Sequence, residues 1–355
     1  MRQPLAITMG DPAGIGPEII AKAYRDAPDL TAGCLVVGDV ASMRRGAQLT
    51  AGFGKLQLPV AVIEQPGQAF GVPPGCIPVL QVAPPFEMVA LGRISAQAGR
   101  IAAESVVWAA DAALRGDVAA VVTAPLHKEA LAAAGEPHNR FPGHTEMLQA
   151  RAATRLGKSL GDMPVRMMLA NSALRTVLVS IHLSLRDAID AVTTPRVLET
   201  LRVTHDALAA VLGRAPRIAV AGLNPHAGEG GLFGREEIEI IAPALELARA
   251  HGLDVHGPFA PDTIFMRARA RPGQLPEFDV VVAMYHDQGL IPVKYLGVED
   301  GVNVTLGLPF VRTSPDHGTA FDIAGTGRAD ASSLIEAIRM ARALAGVPFR
   351  VAAAG

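Results

Sequence analysis

The chain has 355 residues, a formal charge of −2 and a hydrophobic content of 50%, with only 4% aromatic residues. A length of this order exceeds what one core usually holds and predicts two domains, while the near-neutral charge excludes an extended basic surface for nucleic acid. No apolar run reaches the ~18 residues of a membrane helix, the amino terminus shows no signal-peptide apolar region, and two cysteines, Cys34 and Cys76, suit a reduced, cytoplasmic setting rather than a disulfide framework.

Leu5 to Met9 predicts a first strand. Gly10-Asp11-Pro12-Ala13-Gly14-Ile15-Gly16-Pro17-Glu18 then turns into a helix from Pro17 to about Asp26, with proline in its first turn. A strand, a glycine loop and a helix in that order form a candidate anion cradle. Neither G-x-G-x-x-G nor a Walker A pattern occurs in the chain, so a tight βα turn with structural glycines is the equal alternative. Cys34 to Asp39 predicts a second strand, and residues 50–90, rich in Gly and Pro, read as irregular. Helical spacing runs from Ile94 to Leu114, with Ser95 as a cap and Arg115-Gly116-Asp117 as the stop. Val118 to Val122 is strand-like and closes on Thr123-Ala124-Pro125-Leu126-His127-Lys128, where His127 and Lys128 open a short Ala-rich helix ended by Gly135. Phe141-Pro142-Gly143-His144-Thr145-Glu146 leads into a further helix that Thr145 can cap, with N–H groups and a dipole suited to an anion.

Val165 to Leu169 and Leu174 to Ile181 predict paired strands, and residues 194–212 and 235–251 predict amphipathic helices. The alternation indicates an α/β protein, largely parallel where helices intervene. No repeat or low-complexity linker separates the domains, so the chain is expected to intertwine them.

Three apolar, β-branched runs end on histidine. Thr176 to Ile181 reaches His182, Ile218 to Pro225 reaches His226, and Phe278 to Tyr285 reaches His286 with Asp287, Gln288 and Gly289. Buried strands that stop this way place polar chemistry at the carboxyl edge of a sheet, where ligands of open α/β proteins usually bind. Three neutral imidazoles with an open position suit a catalytic divalent ion: zinc, with magnesium and cobalt as alternatives. Single histidines are often satisfied polar residues, and His317 in Ser314-Pro315-Asp316-His317-Gly318 is a rival ligand. Downstream, Lys294 and Arg312 suit a phosphate or carboxylate, and Asn303 suits its orientation.

At these residues the chain resembles the 4-hydroxythreonine-4-phosphate dehydrogenase family of vitamin B6 biosynthesis, essentially end to end. The resemblance is carried by the Gly10–Glu18 loop, Pro142-Gly143-His144-Thr145-Glu146, Gly222-Leu223-Asn224-Pro225-His226-Ala227-Gly228-Glu229-Gly230, Met284-Tyr285-His286-Asp287-Gln288-Gly289 and Leu308-Pro309-Phe310-Val311-Arg312-Thr313-Ser314. It implies that His182, His226 and His286 bind the metal, that His144, Thr145, Lys294, Asn303 and Arg312 contact the substrate, and that a homodimer shares its site between subunits. Asp316 to Gly327 is similar to the adenosine-binding segment of the isocitrate and isopropylmalate dehydrogenases, which bind NAD or NADP without a Rossmann fingerprint. That places His317, Gly318, Asp322 and Gly325 near the cofactor, and implies a two-domain fold of that class with its active site in the interdomain cleft. The expected first domain is residues 1–126 with 286–355, and the second is 127–285.

The implied reaction is metal-assisted oxidation of the secondary hydroxyl of 4-phosphooxy-L-threonine, followed by decarboxylation of the β-keto acid. Asp287 and Lys294 are both candidates to remove the hydroxyl proton. D-threonate or D-erythronate 4-phosphate are alternative substrates. A terephthalate dihydrodiol fits less well, because that branch departs from the Gly-His-Thr-Glu and Lys/Asn/Arg pattern retained here. A phosphate-transferring acyltransferase or a non-catalytic binding protein could share the plan, but neither needs three metal-binding histidines.

Overall fold

The structure of the chain is a computed structural model that describes residues 3–51, 57–297 and 300–346. In chain order it forms β1 (Leu5–Thr8), α1 (Gly16–Asp26), α2 (Pro28–Thr31), β2 (Cys34–Gly38), α3 (Val40–Thr50), β3 (Val60–Ile63), β4 (Ile77–Gln81), α4 (Ala96–Arg115), β5 (Ala120–Thr123), α5 (Lys128–Ala133) and α6 (His144–Leu156). There follow β6 (Arg166–Ala170), β7 (Arg175–Leu178), α7 (Leu185–Asp190), α8 (Thr194–Leu212), β8 (Ile218–Ala221), α9 (Ala242–Ala250), β9 (Val255–Phe259), α10 (Ile264–Ala268), β10 (Val280–Ala283), α11 (His286–Tyr295), β11 (Val302–Leu306), β12 (Val311–Pro315) and α12 (Ser332–Leu344).

Contacts divide the chain into two compact units, residues 1–163 with 308–355 and residues 164–307. The boundaries differ from the sequence expectation of 126/127 and 285/286. Both α5 and α6 pack on α4, which keeps the chain in the first unit as far as 163. At the other end α11 packs on β7, and β11 pairs with β6, which keeps residues 286–307 in the second.

The first unit carries strands in the order β3-β4-β2-β1-β5-β12, all parallel. Its central strands β1, β2 and β5 are buried along their whole length, which is why they read as unbroken apolar runs rather than as alternation. Helix α4 starts at Ser95, whose hydroxyl accepts from the Ala98 amide, and stops at Gly116 in the left-handed conformation. The stretch expected to be irregular, 50–90, in fact contains β3 and β4. Surrounding glycines and prolines mask two short strands there, and Pro78 lies inside β4 itself. Gly10 closes the turn after β1 with φ +73°, where a Cβ would sit 2.3 Å from the Pro125 carbonyl oxygen. No other residue fits that approach.

The second unit carries β11-β6-β7-β10-β8-β9. The β11–β6 and β6–β7 pairs are antiparallel, and β7–β10, β10–β8 and β8–β9 are parallel. Leu169, Leu178, Ala219, Val281, Ala283 and Leu290 lie in one buried cluster between strands and helices. Gly289 lets α11 lie against this sheet, since a Cβ there would meet Leu178 at 2.4 Å. The helix expected over 235–251 opens with a π turn, Glu237–Ile241, before α9. Among the described residues, no helix is long and apolar enough to cross a membrane.

Candidate active site

In the second unit, β7, β10 and β8 are parallel neighbours in that order, so their carboxyl ends lie side by side. His182 follows β7, His286 opens α11 just after β10, and His226 follows β8. The His182 and His286 rings face each other with centroids 5.7 Å apart. The His226 ring lies instead beside Phe233, at 6.2 Å. His182 (φ +44°) and His226 (φ +53°) both adopt left-handed backbone conformations. Such conformations are uncommon outside glycine and cluster at functional sites.

Neighbouring groups fix this edge. Asp287 Oδ1 lies 2.7 Å from His286 Nδ1, so Nδ1 carries the proton and Nε2 presents its lone pair. The Gln288 side chain accepts from the Met284 amide (2.7 Å) and donates to the Gly222 carbonyl (2.8 Å), tying the ends of β10 and β8 together. Buried Glu237 accepts from the Leu223 and Asn224 amides, each at 2.7 Å, and from Asn224 Nδ2 at 2.9 Å. It thereby holds the loop that delivers His226. A cavity of about 770 Å³ opens beside this edge, lined by His226, Asp287, Gln288 and Tyr285 with apolar Phe265, Met266 and Ile291.

Tested against a metal ion, the donor chemistry fits but the donor count within one chain does not. Among the described residues, no group of three or more His, Cys, Asp or Glu is disposed to hold a metal ion. The His182 and His286 rings meet, and His226 lines the cavity together with Asp287 and Gln288. Lys294, in the last turn of α11, and Asn303, in β11, are half-buried in the same unit.

The first unit holds the remaining predicted residues. Arg312 is buried and donates from Nε (3.1 Å) and Nη2 (2.7 Å) to Thr123 Oγ1 at the end of β5. Burial pushes its guanidinium down to about 10, partly offset by Glu146. Burial, with Arg312 beside it, also holds the His144 imidazole well below the usual histidine range, so the ring is neutral near pH 7. His144 Nε2 is enclosed without a partner among the described residues. Thr145 does not cap α6, contrary to expectation: the helix starts at His144, its N-cap is Gly143, and no side chain bonds there.

Four amides of the Gly10–Glu18 loop donate within the protein: Asp11 N–H to Pro125 O, Gly14 N–H to Asp11 O, Ile15 N–H to Thr319 O, and Ala13 N–H to Asp11 Oδ1. What the loop does is brace the segment Asp316 to Gly327. Buried Glu18 accepts from the amides of Gly325 and Gly327, and Lys22 donates to the Gly327 and Ala329 carbonyls. In that segment His317, Gly318 and Asp322 are exposed and Gly325 is half-buried with φ +83°; the His317 ring Nδ1 lies 3.0 Å from the Gly318 carbonyl.

Residues 31–341 match the family described as pyridoxal phosphate biosynthetic protein PdxA. The chain belongs to the PdxA family. It is 53% identical over 331 residues to the 4-hydroxythreonine-4-phosphate dehydrogenase of Beijerinckia indica, covering 93% of this chain and 92% of that one. It is 48% identical over 343 residues to the D-threonate 4-phosphate dehydrogenase of Salmonella typhimurium, covering 96% and 98%. The crystal structure of 4-hydroxythreonine-4-phosphate dehydrogenase from Klebsiella pneumoniae superposes with a TM-score of 0.83 at 43% identity, covering 97% and 98%.

Four residues of this PdxA-family chain escaped sequence reasoning. Glu237 holds Leu223 and Asn224, and Gln288 reaches Gly222, through hydrogen bonds that span 13 or more positions, and nothing local signals such pairs. Asp11 and His127 had a usable signal, since each lies a few residues beyond a buried strand, the same context that singled out the three histidines.

Proposed function

We propose that this chain is an NAD(P)-dependent dehydrogenase that oxidises the secondary hydroxyl of 4-phosphooxy-L-threonine. The product is a 3-oxo acid, which loses carbon dioxide to give 3-amino-2-oxopropyl phosphate. The observation that carries this reading is the row of three histidines on adjacent parallel strand ends, in a PdxA-family chain whose relative at 53% identity bears that activity in its name. NAD or NADP is the electron acceptor, and the Asp316–Gly327 segment with His317, Gly318, Asp322 and Gly325 is the adenosine side of its site.

The metal is a divalent ion, zinc by preference, held by His182 and His286 of one subunit and completed by His226 of a second copy in a homodimer. The pairing of the His182 and His286 rings within one chain supports placing those two on the same subunit. When bound, such an ion would stabilise negative charge on the substrate oxygen.

The protein's own groups do the rest. His144, Thr145, Arg312 and Asn303 hold the phosphate and carboxylate and orient the carbinol carbon. Asp287 keeps His286 in one tautomer, which leaves Lys294 as the group to take the hydroxyl proton. Oxidation puts a carbonyl β to the carboxylate, and the electron pair of the breaking C–C bond flows into it as carbon dioxide departs.

The test is NADH or NADPH formation from 4-phosphooxy-L-threonine, D-threonate 4-phosphate and D-erythronate 4-phosphate, with metal present. The first substrate should give the highest kcat/KM by at least ~10-fold. A preference for D-threonate 4-phosphate would move the chain to the activity named for its Salmonella relative.

A further inference from the structure

The carboxyl ends of β1 and β5 carry a second polar cluster whose Asp11 and His127 have no role in the dehydrogenase reading, next to Thr123, which accepts from Arg312. Thr8 and Thr123 end these neighbouring strands in register. Asp11 follows three residues after Thr8 and is tied to the other strand end by its N–H bond to Pro125. His127 follows two residues after Pro125, so it leaves the same strand end to which Asp11 is tied. Three side-chain atoms here are enclosed with no hydrogen-bond partner among the described residues: Thr8 Oγ1, Asp11 Oδ2 and His127 Nδ1. Both Thr8 and Asp11 are 0% exposed. Orphaned polar atoms are rare in protein interiors, and several together mark a place where a ligand or ordered water supplies the missing partners. Burial also raises the Asp11 carboxyl to about 6, so keeping an acid here opposes folding at neutral pH.

The chemistry of the three atoms selects among ligands. Asp11 Oδ1 is occupied by the Ala13 amide at 2.8 Å, so only Oδ2 is available. A bidentate carboxylate grip on a ribose diol is therefore ruled out, whereas a single N–H donor is suited. The imidazole beside it offers one ring nitrogen, and the Thr8 hydroxyl can donate or accept. The His127 ring stacks on Phe321 at 4.6 Å with an interplanar angle of 18°, and Phe321 lies within the Asp316–Gly327 segment. The cluster thus abuts the same segment through a flat aromatic wall.

We propose that this cluster is the subsite for the carboxamide of the nicotinamide ring: Asp11 Oδ2 accepts from the carboxamide NH2, while His127 Nδ1–H donates to its carbonyl oxygen. This rests on the dehydrogenase reading given above and assigns to that reading residues it does not use.

The test measures binding rather than turnover. The metal-loaded enzyme is titrated calorimetrically with NAD+ and with 3-acetylpyridine adenine dinucleotide, whose methyl ketone keeps the carbonyl but lacks the NH2. Wild type should bind NAD+ at least ~10-fold more tightly than the analogue, the ratio expected from one hydrogen bond to a carboxylate. Asp11→Asn should bring the two dissociation constants within ~2-fold, because its amide presents a donor where an acceptor is needed. His127→Phe keeps the stack and should weaken both dinucleotides together, leaving the ratio at its wild-type value. A wild-type preference that survives Asp11→Asn overturns the proposal and leaves the dehydrogenase reading standing. Wild type that binds neither these dinucleotides nor their 2′-phosphorylated forms overturns both.

Discussion

Glu237→Ala tests how the His226 loop is held. The carboxylate is 3% exposed and accepts three hydrogen bonds of 2.7, 2.7 and 2.9 Å from Leu223 and Asn224. Bonds to a charged acceptor contribute ~1.5–3 kcal/mol each. The donors belong to half-buried residues, where water recovers part of the loss after truncation. A total of ~3–5 kcal/mol is therefore expected for Glu237→Ala. Glu237→Gln keeps a carbonyl for the backbone amides but loses the charge, and ~1–2 kcal/mol is expected. Urea unfolding followed by far-UV circular dichroism measures both, read as midpoint shifts at unchanged slope. The order Ala, Gln, wild type should appear in metal affinity as well, because the loop delivers His226. An alanine variant within ~0.5 kcal/mol of wild type, the range of ordinary surface substitutions, would show that this carboxylate does not hold the loop.

Other outcomes follow from the same geometry. Asp287→Ala removes the acceptor that fixes the His286 tautomer and should lower metal affinity ~10–100-fold with no change in fold, measured by competition with a chromophoric chelator. Asp11→Asn should stabilise the protein at pH 8. The folded-state value of about 6 lies above the ordinary 3.8, so the wild-type penalty is absent below about pH 4, grows between the two values and is complete above about pH 7. Thermal unfolding across that window should show a gain for the variant of ~1–3 kcal/mol at pH 8 that vanishes at about pH 4; a gain independent of pH would contradict the assignment.

Much of this was legible in the chain. The parallel core strands announced themselves as short β-branched runs, and helices such as Thr194–Leu212 match their sequence-derived limits. The three histidines were found by strand-end context alone, and the structure sets their strands side by side. What stayed hidden depends on contacts remote in sequence. Strands β3 and β4 lie among prolines and glycines that usually mark loops. The domain boundaries depend on which helices pack together, and neither α5 nor β11 reveals its partner through its own periodicity. In the Gly10–Glu18 loop, composition left an anion cradle and a structural turn equally open, and the four amides that donate to carbonyls and to Asp11 do so through tertiary neighbours such as Pro125 and Thr319. The same structure turned Asp11 from an unremarked loop residue into a buried acid with one unanswered oxygen.

The sharing of one metal between two copies is tested most directly by mixing two inactive variants, His226→Ala and His286→Ala, after reversible dissociation. If His226 completes the site of the other subunit, each mixed dimer contains one intact site and one doubly defective site. Random pairing of equal amounts should then restore about a quarter of wild-type turnover and bound metal. Activity that stays at the level of the separate variants would contradict the account.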